Sequence, residues 1–407
     1  MIKSTNQKFN GNELKYLKYC LDNRMKFSKK EGSYTMRLEK LWSKFHKITH
    51  SITINSCTSG LHVSLLAIGI SKGDEVLVPA LTPIMCGTVI HFTGATPIYV
   101  DVESDTFLMS AKDLKKKITK KTKAIILVHM YGGVNNIKLF QKIAKENNLY
   151  LIEDCAEALG AKDENGILAG SSSDLNCWSF QSAKHITCGD GGIVSTNNNK
   201  LAIKVRKFSN LGFKFLSADS GQIALTKEKR QNPNFKRFDQ IGFNYRLNEF
   251  SAGIALAQFE QVSKFLSLRR MMGTKIENIA NKYSFIRAQF INRKSYSTYY
   301  TAAVKILDLK KIPWEKFKKK FIEFGGKDGI YAPAQIIQNE PVIKKNLIGR
   351  CFSSCKHDCV RNCKGTPVAS LLQKSLLLFT TNQTTSLEIN KQAKVLERTL
   401  KFFNNYF

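Results

Sequence analysis

The chain has 407 residues, 43% of them hydrophobic and only 8 Pro, so it can bury a sizeable core and wholesale disorder is excluded. At about 150 residues per domain, that length fits roughly two to three domains. Its 63 Lys and Arg against 32 Asp and Glu give a net charge of +31, but the excess is mostly lysine spread along the chain, which reads as compositional bias rather than the footprint of an anionic partner.

No apolar run approaches the ~20 residues of a membrane span, and the polar opening MIKSTNQKFNGNELKYLKYC lacks the apolar stretch of a secretory signal. Of the ten Cys, six lie inside apolar segments, Cys57, Cys86, Cys155 and Cys177 among them, as reduced core thiols do. No basic-aromatic module or zinc-finger spacing suggests nucleic acid as a partner. A soluble, cytoplasmic protein without a membrane partner is the expectation.

Between Ile54 and about Thr196, short apolar runs alternate with stretches of helical period. Glu75–Ala80, Pro97–Val102, Ala124–Met130, Tyr150–Cys155 and Cys177–Phe180 predict buried strands, and Gly60–Ile70, Ser110–Ile118 and Asn136–Asn147 predict helices. Strands apolar on both faces and separated by helices imply a mainly parallel α/β sheet, whose ligands sit at the carboxyl ends of the strands. The basic stretch Lys227–Arg237 reads as a long loop, and Asn248–Phe265 as one apolar helix closing the large domain. Beyond Ser267 the pattern changes: Thr298–Ile306 predicts a strand, Trp314–Phe324 a basic amphipathic helix and Leu387–Phe403 a terminal helix.

Three segments carry chemistry. Asn55–Gly60 places Ser56, Thr58 and Ser59 at the start of a helix, where free amides and hydroxyls bind phosphate or simply cap the first turn. Asp154, beside Glu153, ends the strand YLIEDC; it points into the ligand cleft of such a sheet, where it can keep a ring nitrogen protonated, or it caps the following segment. Lys184 follows a strand and precedes a glycine-rich turn, TCGDGG. Held among apolar groups, its ammonium would lose hydration and its pKa would fall toward that of a nucleophilic amine; alone, it is equally one more surface lysine. Together the three match the phosphate, the ring nitrogen and the aldehyde of pyridoxal 5'-phosphate.

From about Gly32 onward the chain resembles the DegT/DnrJ/EryC1/StrS sugar aminotransferases, through CTSGLHVSLLAIGISKGDEVLVPALT, GATPIYVDVESDTF, TKAIILVHMYG, LIEDCAEALGA, SFQSAKH with TCGDGG, and GFNYRLNEFSAGIALAQFE. The resemblance implies the fold-type-I α/β architecture: a large domain with a mainly parallel seven-stranded sheet between helices (32–266), preceded by an N-terminal segment (1–31) and followed by a smaller α+β domain (267–407). It implies that Lys184 carries the cofactor as a Schiff base and later shuttles a proton, and that Asp154 pairs with the pyridine nitrogen. Thr58, Ser59 and Ser179 would bind the phosphate, with Asn244 reaching it from the other subunit of an obligate homodimer. L-glutamate would donate the amino group, and a nucleotide-linked keto sugar, in amino-sugar or surface-polysaccharide synthesis, would accept it. Lys227, Lys229, Arg230, Lys236 and Arg237 are candidate diphosphate contacts, or a solvated loop.

Four features depart from the family pattern. Glu157 stands where Gln usually lies near the ring oxygen, and either retunes that oxygen or is protonated there. Pro83 stands where an aromatic usually stacks on the ring. The dehydratase branch carries His at the lysine position, so Lys184 favours transamination, and His185 beside it reads as structural. Finally, Cys351, Cys355, Cys359 and Cys363 recur every fourth residue around His357, a complete thiolate set for zinc if helical, or a reduced surface loop. An aminotransferase acting on a non-nucleotide cyclic ketone and a cofactor-binding protein without turnover are the alternatives.

Overall fold

The computed structural model describes residues 9–24, 26–27, 32–221, 225–326, 329–344 and 365–407. Two helices, α1 (Glu13–Asp22) and α2 (Tyr34–His46), precede a seven-stranded sheet. Its strands are β1 (His50–Ile54), β2 (Glu75–Pro79), β3 (Thr96–Val100), β4 (Thr122–Val128), β5 (Tyr150–Asp154), β6 (Leu175–Ser179) and β7 (Gly192–Thr196), in the order β1-β7-β6-β5-β4-β2-β3. The five strands from β3 to β6 run parallel, whereas β7 is antiparallel to β6 and β1 to β7. Burial explains the apolar runs: Ala124, Ile125, Ile126 and Leu127 on β4 are all fully buried, because helices cover both faces.

The crossover and flanking helices are α3 (Cys57–Ala67), α4 (Met85–Phe92), α5 (Ala111–Lys117), α6 (Ile137–Glu146), α7 (Asn199–Ser209), α8 (Lys227–Gln231), α9 (Glu249–Glu260) and α10 (Val262–Ala280). A second, wholly antiparallel sheet follows, with β8 (Ile286–Ala288), β9 (Thr301–Ile306), β10 (Ile330–Tyr331) and β11 (Leu376–Thr380) in the order β10-β11-β9-β8. Helices α11 (Trp314–Phe321), α12 (Pro341–Lys344), α13 (Pro367–Ser375) and α14 (Ser386–Asn404) complete the chain. A separate apolar core joins this sheet to α10 and α14 through Met272, Ile276, Val304, Leu377, Leu396 and Phe403.

Three elements differ from the expectations. Lys227–Gln231 is helical, started by Thr226, whose hydroxyl accepts from Lys229 N; it is too short for periodicity to register. The apolar stretch expected as one helix is two, broken at Gln261, and α10 runs on across positions 266 and 267 to Ala280. Strands β1 and β7 were not expected because polar residues interrupt β1 (HSITI) and end β7 (GIVST); the polar residues of β1 are covered by neighbours, as where Glu39 on α2 accepts from Thr53 N (2.8 Å) and Thr53 Oγ1 (2.9 Å).

Within the N-terminal segment, α1 docks on α9, with Tyr16 Oη donating to Glu260 Oε1 (2.6 Å). The six cysteines of the apolar segments, Cys20, Cys57, Cys86, Cys155, Cys177 and Cys188, are buried and reduced. Cys351, Cys355, Cys359 and Cys363 lie outside the described residues. Among the described residues no helix is long and apolar enough to cross a membrane.

Candidate active site

A cleft of about 380 Å³ opens at the carboxyl ends of β4, β5 and β6, marked by Val128, Asp154 and Ser179. That is the ligand edge of an open parallel sheet. Adjacent acids end β5, and strand alternation sends them to opposite faces. Glu153 points away from the cleft, where Oε2 pairs with His129 Nε2 (2.8 Å) and accepts from Gly170 N (2.8 Å), while Oε1 accepts from Ser173 Oγ (2.5 Å). Burial pushes the Glu153 carboxyl up, but His129, Ser173 and the Gly170 amide outweigh it and leave the group below the usual glutamate range.

Asp154 faces the cleft and is 5% exposed. Its Oδ1 accepts from Ala156 N (3.0 Å) and Cys57 Sγ (3.7 Å), and its Oδ2 from Cys86 Sγ (3.2 Å). Burial, reinforced by the Asp154 charge, pushes both thiols far up, so they stay protonated donors. These two cysteines were legible as core thiols only; nothing in the sequence pairs them with Asp154.

The other end of the cleft is the start of α3. Ser56 caps it by accepting from Ser59 N (3.1 Å), so the amides of Cys57 and Thr58, the first two of the helix, have no intrahelical acceptor. Thr58 and Ser179 line the cleft beside them. Ser59 does not line it, because its hydroxyl turns back to Ser56 Oγ (2.9 Å). Gly192 lets β7 approach this helix start: a Cβ there would lie 2.9 Å from Cys57 N and 2.6 Å from Trp178 O. Pro83, Met85, Val128, Met130 and Ala156 form the apolar walls, and among the described residues no aromatic residue lines them.

Lys184 sits on the turn after β6, its side chain 14% exposed, with Nζ 3.4 Å from Glu157 Oε1. The Tyr300 ring covers Nζ from the other side at 4.2 Å. Here the sequence expectation is corrected. Burial does pull the ammonium down, but the Glu157 carboxylate, with Asp154 nearby, outweighs it, and the net shift is upward. Arg269 on α10 braces this turn, donating to the carbonyls of Ala183 (3.0 Å), Lys184 (3.1 Å) and Tyr300 (2.9 Å). Burial lowers the Arg269 guanidinium to about 10, still charged at neutral pH. His185 is 1% exposed and packs against Tyr300; burial, with Arg269 and Lys184 nearby, drives its pKa far down and keeps it neutral.

Thus Thr58, Asp154, Glu157, Ser179 and Lys184 converge on one cleft, while Asn244 is exposed and lies outside it, in a bridge with Asn210. Lys227, Lys229, Arg230, Lys236 and Arg237 also lie outside, and Lys229 packs over Phe215 and Phe235. The residues of the cleft fit pyridoxal phosphate: open amides and hydroxyls for a phosphate, a buried carboxylate for a ring nitrogen, and a lysine for an aldehyde. Tyr300 and Arg269 were missed by sequence reasoning, since neither stands in a recognisable motif.

The fold is that of the fold-type-I class of pyridoxal-phosphate enzymes, and the cleft carries the groups that cofactor would need. Residues 8–341 match the DegT/DnrJ/EryC1/StrS aminotransferase family, and the chain belongs to it. It is 36% identical over 294 residues to GDP-perosamine synthase of Escherichia coli O157:H7, across 72% of this chain and 75% of that protein. It is 35% identical over 272 residues to GDP-perosamine synthase of Vibrio cholerae, across 66% and 68% respectively. An aminotransferase structure from Psychrobacter cryohalolentis shares the fold, with a TM-score of 0.83 at 22% identity, covering 97% of this chain and 98% of the other.

Proposed function

We propose that the chain moves an amino group from an amino acid, L-glutamate, to the keto carbon of a nucleotide-linked sugar, with pyridoxal 5'-phosphate held in the cleft. The observation that carries this reading is the convergence of Lys184, Asp154 and the open amide end of α3 on one cleft. Relatives named GDP-perosamine synthase, at 36% and 35% identity, support GDP as the carrier and GDP-perosamine as the product.

The cofactor, when bound, supplies an aldehyde that bonds amines and a ring that withdraws electrons from the carbon being deprotonated. The amides of Cys57 and Thr58, with the hydroxyls of Thr58 and Ser179, hold its phosphate; Ser59 supports them from within the first turn. Asp154 holds a proton on the ring nitrogen. Glu157 stands beside Lys184 and would lie near the ring oxygen, as the family resemblance implies. Lys184 Nζ anchors the cofactor at rest and, once freed, carries the proton taken from the donor's α-carbon. Asn244, exposed and outside its own cleft, reaches the phosphate in the partner subunit of a homodimer with two shared sites.

A visible absorption titration tests this. Wild type should develop the band of lysine-bound cofactor with pyridoxal phosphate, lose it with L-glutamate and regain it with a GDP-linked keto sugar. By reversibility GDP-perosamine should also bleach it, and Lys184→Ala should show no band. A wild-type band that neither L-glutamate nor GDP-perosamine converts would refute the proposed reaction.

A further inference from the structure

Glu157 is held at both ends. Its Oε2 accepts from Tyr131 N (2.9 Å), and its Oε1 lies 3.4 Å from Lys184 Nζ. The amide that fixes it belongs to a strained turn, since Tyr131 has φ +65° and Gly132 φ +90°. Against that turn presses a second strained segment. Tyr299 has φ +45°, Thr298 N donates to Gly132 O (3.2 Å), and a Cβ on Gly132 would lie 2.3 Å from Tyr299 N. The next residue, Tyr300, lays its ring over Lys184 Nζ, and Arg269 holds the Tyr300 carbonyl. Left-handed backbone at non-glycine residues is unfavourable and persists where the surroundings over-determine it. Here two such segments bring a carboxylate and a ring face to one ammonium, at 3.4 Å and 4.2 Å.

We propose that Glu157 is the positioning residue of Lys184: in the cofactor-free protein its carboxylate holds Nζ as an ammonium, so loading requires opening a Lys184–Glu157 ion pair. This rests on Lys184 being the cofactor lysine. Of the groups facing Nζ, the Asp154 carboxylate from β5 acts in the same direction, Cys57 from α3 is a neutral thiol, Tyr300 ahead of β9 presents its ring, and His185 is neutral. During turnover the same pair stabilises the lysine between taking a proton and returning it.

The test uses cofactor-free protein and needs no turnover. Acetylation of Lys184 by acetic anhydride is followed by mass spectrometry as a function of pH, with exposed Lys142 as internal standard. In wild type the half-reactivity pH of Lys184 should lie above that of Lys142. Glu157→Gln should raise Lys184 reactivity at neutral pH by about ten-fold for each unit its pKa falls, and should speed development of the cofactor band alike, while Glu157→Asp stays slow. A wild-type Lys184 that titrates at or below Lys142 overturns the proposal, whether or not the variants fold. So does a folded Glu157→Gln protein with wild-type reactivity. Absence of the visible band in wild type would instead strike the cofactor reading, which the labelling does not address.

Discussion

Asp154 meets two thiols and one backbone amide inside the cleft, which leaves part of its acceptor capacity for a ring N–H. A thiol is a weak donor, yet Cys86 is fully buried beside the carboxylate it serves. Cys86→Ala should weaken pyridoxal phosphate binding about five-fold, the equivalent of about 1 kcal/mol; Cys86→Ser should restore it, both read by visible titration. Glu153, one residue earlier, governs stability instead. His129→Ala strands its carboxylate in the core and should cost about 3–5 kcal/mol in urea unfolding. Because the folded Glu153 pKa is depressed, its contribution is fully present above the ordinary value of 4.5 and is lost as pH falls through the folded value, so unfolding midpoints should drop on that side. The sequence showed two acids at a strand end, and only the pleat, set by pairing with β4 and β6, told them apart.

Among the elements, α3 and β7 decide the phosphate end. Gly192→Ala would push Cβ against Cys57 N and Trp178 O, with no flexible side chain to yield. It should cost about 1–3 kcal/mol and weaken cofactor binding, measured by thermal melting and by the same titration; unchanged affinity would show that the helix start does not hold the phosphate. The parallel strands were legible because burial on both faces demands continuous apolar runs. β1 and β7 were not, since their polar residues are covered by neighbours such as Glu39 that local pattern does not reveal. The break at Gln261 was equally hidden, because α9 is buried around most of its surface and carries no amphipathic stripe whose phase a break would shift.

For the whole molecule, the proposed homodimer makes each site a composite of Lys184 from one subunit and Asn244 from the other. Lys184→Ala and Asn244→Ala should each be inactive alone. Mixed and allowed to exchange, they should regain about a quarter of wild-type activity, since half of the dimers are mixed and each has one intact site under two-fold symmetry. No recovery, with exchange verified by mass, would place Asn244 outside the site.

The sequence by itself determined the α/β class, the positions of the parallel strands, and a lysine, an acid and a hydroxyl-rich helix start at their carboxyl ends. These depend on local chemistry and on the period of burial, which a linear pattern records. Only the tertiary structure decided that Glu157 and Tyr300 flank Lys184 and that pairing with Glu157 outweighs burial, so that the lysine's affinity for its proton rises rather than falls. That sign depends on which charges lie within a few ångströms across strands far apart in the chain, and desolvation and charge pairing oppose each other there.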